Sequence, residues 1–140
     1  MNRSEKALVL LLRASAVLLL TAVIPALMPF EWMKDIHRRL GMGELPEGPI
    51  VGYLTRSLSA MYAMHGALLL FVSLDVRRCL PVVKCLAVLC LAFGAGMIVL
   101  DQAVGMPRFW LLGEGPFIIA LGGAILWLSG GVQRPDQASP

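Results

Sequence analysis

Residues 50–74 read IVGYLTRSLSAMYAMHGALLLFVSL, an apolar run whose only formal charge is Arg56 and whose only imidazole is His65. A helix needs about 20 such residues to cross roughly 30 Å of hydrocarbon, so the run predicts a membrane span carrying two costly polar side chains. Side chains of that kind face a protein interior or a wet cavity, which makes Arg56 and His65 the first candidates for a site.

The rest of the chain fits the same solvent. Hydrophobic residues make up 58% of the 140 and charged residues 15%, against roughly 45–50% and about 25% in soluble domains. Three further apolar stretches, at about 7–28, 80–100 and 116–132, predict one all-α transmembrane domain over residues 1–140: an integral membrane four-helix bundle with short connections and no room for a soluble catalytic domain. The first stretch is too long for a secretion signal and holds Arg13, close enough to its start to snorkel to the headgroups. Between the first and second spans, Phe30, Met33, Ile36, His37 and Leu40 recur at helical spacing with Glu31, Lys34, Asp35 and Arg38 opposite. That pattern predicts a short interfacial helix over 30–41, ended by Gly41. Asp101 to Gly115 reads as a second loop, Pro116 opens the last and shortest span, and the tail from Gln133 to Pro140 is expected to be mobile. Ala92-x-x-x-Gly96 with Gly94, and Ala120-x-x-x-Ala124 with Gly122 and Gly123, offer small faces for close helix packing.

The net charge of +3 comes from bases spread along the chain without clusters, so nucleic acid is excluded as a partner and the bilayer is expected instead. Four spans put both termini on one side. Arg3, Lys6, Arg77, Arg78, Lys84 and Arg134 on that side outnumber Lys34, Arg38, Arg39 and Arg108 on the other, which predicts cytoplasmic termini. In this orientation Arg56 lies about 9 Å below the outer end of its span. Asp101 and Glu114 fall on the same outer side, so an intramembrane ion pair of Arg56 with Asp101 or Glu114 is expected, because an unpaired charge in apolar surroundings costs several kcal/mol.

That pair could simply orient helices. Alternatively, Arg56 with Tyr53, Ser59, Tyr62 and His65 could line an outward-facing pocket for an anionic, lipid-like or quinone-like ligand. No catalytic residues and no metal site are expected: the chain lacks H-E-x-x-H, G-x-S-x-G and phosphate loops, and paired acids within a span. His37 and His65 sit at depths unsuited to a shared haem. Cys79, Cys85 and Cys90 form no C-x-x-C, and in a helix Cys85 and Cys90 would point roughly 140° apart, so they read as packing residues. Quinone is the one cofactor left open.

The ending Ala26-Leu-Met-Pro29, the Gly41-x-Gly43 turn, Arg56 followed by Tyr62 and Gly66, and the Gly105-Met-Pro107 loop together resemble the DoxX-like group of small bacterial membrane proteins. The resemblance implies a four-helix bundle in the bacterial cytoplasmic membrane. For some relatives it also implies an accessory role in quinone-coupled sulfur oxidation. The expected function is therefore a non-enzymatic accessory or interaction subunit, with a membrane partner or a second copy of itself, and ligand binding around Arg56 and His65 as the alternative.

Overall fold

The computed structural model describes residues 2–132, and the expected mobile tail lies outside them. The described residues are helical without a strand: α1 (Arg3–Leu20), α2 (Val23–Leu27), α3 (Phe30–Arg39), α4 (Pro49–Val72), α5 (Leu80–Val104) and α6 (Arg108–Gly130). Three stretches are long and apolar enough to cross a membrane: Arg3–Leu27, Leu80–Val104 and Arg108–Gly130. α4 has the length but is less apolar, because Arg56 and His65 share it with the hydroxyls of Thr55, Ser57 and Ser59. The fold is thus all-helical with three candidate spans.

Local chemistry explains where the helices break. Pro25 has no N–H for the Thr21 carbonyl, so that carbonyl accepts from Ile24 N at 2.9 Å and the first span splits into α1 and α2. α3 and α5 both end on a left-handed glycine. Gly41 (φ 74°) and Gly105 (φ 72°) let Met42 N reach the His37 carbonyl at 3.2 Å and Met106 N reach the Asp101 carbonyl at 2.9 Å.

The turn at Gly105 corrects the expected loop over 101–115. α5 continues to Val104, only three residues separate it from α6, and α6 runs through Pro116 instead of starting there. Proline is tolerated inside membrane helices because neighbouring groups re-satisfy the freed carbonyl. At 1.5 Å per residue α6 is about 35 Å long, enough to cross in full.

Contacts divide the described residues into two units, one of residues 2–13 with 71–132, the other Ala14–Leu70. In the first unit α5 and α6 pack antiparallel with their backbones nearly touching. A Cβ on Gly122 would lie 2.8 Å from the Ala87 carbonyl. One on Gly94 would lie 2.9 Å from the Gly115 carbonyl, and one on Gly115 would collide with Ile98. Of the glycines expected on small faces, Gly94 and Gly122 make this contact, whereas Gly96 and Gly123 face open space. Gly115 supplies the third close approach.

The first unit also holds a polar cluster at the start of α1. Asn2 Oδ1 accepts from Glu5 N at 2.8 Å, which caps the helix, while Asn2 Nδ2 donates to the Gly131 carbonyl at 2.7 Å. Glu5 is buried, and Arg77 grips its carboxylate through two bonds of 2.8 Å. Arg13 Nε reaches Ser73 Oγ at 3.4 Å. Leu8 and Leu12 follow Glu5 on the same buried stripe of α1.

In the second unit α1 and α4 meet at Gly66, where an added Cβ would lie 2.9 Å from the Ala16 carbonyl. α3 turns Met33 inward, and Thr55 Oγ1 on α4 points at its sulfur, 3.7 Å away. Trp32, Ile36 and Leu40 form an exposed stripe on the outer side of α3.

Candidate functional site

Pro49 opens α4 and sets the helix on which Arg56 sits, seven residues along. Side chains on a helix lean toward its N-terminus, and Arg56 does so over a full turn: a Cβ on Gly52 would lie 3.5 Å from the nearer guanidinium nitrogen and 3.9 Å from the Phe30 ring. Glycine at 52 leaves the lane that the guanidinium occupies. Arg56 is exposed, and its hydrogen bond runs to the Met28 carbonyl at 3.4 Å, the long end of the useful range. Within the Ala14–Leu70 unit no carboxylate pairs with it.

The guanidinium borders an open-sided groove of about 970 Å³. Ala26, Leu27 and Phe30 form one apolar wall. The other is the face of α4 carrying Pro49, Gly52, Tyr53, Arg56, Ser57 and Ala60. Glu31, Glu47 and Gly48 complete the lining. Both carboxylates are strongly exposed, which puts them at the wet end of the groove.

Lys34 organises that end. Its ammonium donates to Glu47 at 2.7 Å and to Glu31 at 3.2 Å, fastening the segment before α4 to α3. Bonding to Lys34 holds the Glu47 carboxyl below its ordinary range, and the bonds to Glu47 and Glu31 push the Lys34 ammonium above its own. His37 Nδ1 lies 3.0 Å from the Gly43 carbonyl, and Arg38 pairs with Asp35 and, at 3.8 Å, with Glu44. This connection is laced by short-range polar contacts instead of a core.

Of the residues the sequence singles out, the groove gathers Tyr53 and Arg56 but not Ser59, Tyr62 or His65. Helical geometry gives the reason. At roughly 100° per residue, Tyr62 and His65 stand about 120° and 180° around α4 from Arg56. Ser59 spends its hydroxyl on the Thr55 carbonyl at 2.8 Å, as hydroxyls do in apolar helices.

Asp101 and Glu114 belong to the other unit. There Glu114 accepts from Trp110 Nε1 at 2.5 Å, and Asp101 is buried at 3% exposure with Oδ2 lacking a hydrogen-bond partner among the described residues. Sequence reading missed Ala26, Leu27 and Phe30 as groove walls, and Glu31 and Glu47 as its acidic end. The described residues hold no cluster of His, Cys, Asp and Glu suited to a metal, and the three cysteines are free.

These features define a multi-pass helical membrane protein by length and composition, with an arginine-bearing groove beside one of its less apolar helices. No family model, curated protein or solved structure matches the chain.

Proposed function

We propose that the protein binds an amphiphile, lipid-like or quinone-like, in the groove beside α4, with Arg56 taking the polar head and the apolar walls taking the chain. One observation carries this reading: a guanidinium folded one turn back over Gly52 into an open groove, held within its own unit by one long bond to a carbonyl. A fixed cation so poorly satisfied beside apolar surface attracts an anionic or strongly accepting head. The volume is at the upper end of the roughly 300–1,000 Å³ of small-molecule sites.

The test is native mass spectrometry of the protein released from lipid nanodiscs containing phospholipid and, separately, a short-chain quinone. Wild type retains one bound amphiphile, and Arg56→Gln loses it with its thermal unfolding unchanged. Equal retention in both proteins refutes the reading.

An accessory role is a second reading, in the bacterial inner membrane with cytoplasmic termini as the sequence suggests. The open space over Gly96 and Gly123 supports it, because small residues allow a further helix to approach closely. Cysteines placed at 96 and 123 should crosslink the protein to a neighbour or to itself in native membranes. Absence of any crosslink there argues against it.

A further inference from the structure

Resting on that reading, we propose that the groove selects a zwitterionic phospholipid head, a phosphate joined to a primary ammonium, with the phosphate on Arg56 and the ammonium at Glu31 and Glu47. The charges lining the groove are of both signs and separated in space. Arg56 carries a positive charge on the α4 wall. At the wet end two carboxylates share the single ammonium of Lys34, so that cluster keeps one negative charge in excess.

The two ends are also within reach of one headgroup. A Cβ on Gly52 would meet both the Arg56 guanidinium, at 3.5 Å, and the Phe30 ring, at 3.9 Å, and Glu31 follows Phe30 directly in the groove lining. Glu31 is the member with charge to spare, since Lys34 sits closer to Glu47, at 2.7 Å against 3.2 Å. Charge-assisted bonds from a primary ammonium to Glu31 and from Arg56 to a phosphate would satisfy both ends together.

Other heads fit less well. A purely anionic lipid would be held by Arg56 and repelled at the acidic end. A quinone is uncharged and offers nothing to the carboxylates. A quaternary ammonium has the charge but no N–H to donate.

Native mass spectrometry of protein from nanodiscs with equal amounts of phosphatidylethanolamine, phosphatidylglycerol and phosphatidylcholine of identical chains tests the inference. Phosphatidylethanolamine should be retained about 10-fold over each of the others, a difference of about 1.4 kcal/mol. Glu31→Gln, which leaves the Lys34–Glu47 pair in place, should bring that preference over phosphatidylglycerol to about 2-fold or less.

Arg56→Gln should lower retention of all three lipids. Retention that falls in Arg56→Gln without any head preference in wild type, or with a preference untouched by Glu31→Gln, overturns the head assignment and leaves amphiphile binding standing. Retention indifferent to Arg56→Gln overturns both.

Discussion

The Glu5–Arg77 pair should be the most sensitive electrostatic contact in the unit formed by residues 2–13 and 71–132. The carboxylate is buried, with a side chain 6% exposed, whereas the guanidinium that grips it is 45% exposed. Removing one partner of a fully buried pair costs about 3–5 kcal/mol, because the survivor is left charged and dry. Here Arg77 retains much of its hydration, which lowers the expected loss for Arg77→Met to about 2–3 kcal/mol. That is a roughly 30- to 150-fold change in the ratio of folded to unfolded protein.

Reversible unfolding in mixed micelles, followed by circular dichroism as denaturing detergent is titrated, measures the loss. A double-mutant cycle with Glu5→Gln isolates the pair, and a coupling of at least about 1 kcal/mol is expected because the two side chains are in direct contact. Single losses below about 0.5 kcal/mol, within the range of ordinary surface changes, or strict additivity, would show that the pair does not hold α1 to the turn before α5.

Two neighbouring glycines on α6 provide an internal control for the helix contact in the same unit. Gly122→Ala puts a methyl 2.8 Å from the Ala87 carbonyl and should destabilise by about 1–3 kcal/mol, whereas Gly123→Ala enters open space and should be neutral or slightly stabilising in the same assay. The lacing of the segment before α4 should be insensitive to pH across neutrality. Because the Glu47 carboxyl is held below its ordinary value of 4.5, its contribution is fully present above that value and is lost as pH falls through the lowered one. The Lys34 ammonium, raised above 10.5, keeps its contribution below that value and loses it only in stronger alkali. Protease cleavage between Gly41 and Gly48 should therefore stay slow from about pH 6 to 9 and accelerate only at the extremes; a transition near pH 7 would refute the assignment.

Much of the fold is local chemistry and was legible for that reason. A long apolar run in hydrocarbon has one way to satisfy its backbone, the helix, so the runs near 7–28, 50–74 and 80–100 name helices by length alone. Gly41 marks a helix end because a left-handed residue is needed there. The last span was harder to read. Pro116 starts helices in most settings, yet here the helix passes through it, and only the three-residue turn at Gly105 shows where α6 begins.

Candidate site residues were legible in kind but not in grouping. Arg56 stands out from the cost of its charge, but a shared helix does not give a shared face, and the angle around α4 separates Arg56 from His65. Composition and period together determined a helical membrane chain with one conspicuous arginine, since each helix answers to its own residues and to the solvent around it. The tertiary structure alone decided that Phe30, Glu31 and Glu47 share a groove with Arg56, and that Glu5 meets Arg77 across 72 residues. Those meetings depend on how separate helices turn and approach one another, and that is set in part by close contacts such as those at Gly66 and Gly115, which the small-residue faces in the sequence do not mark.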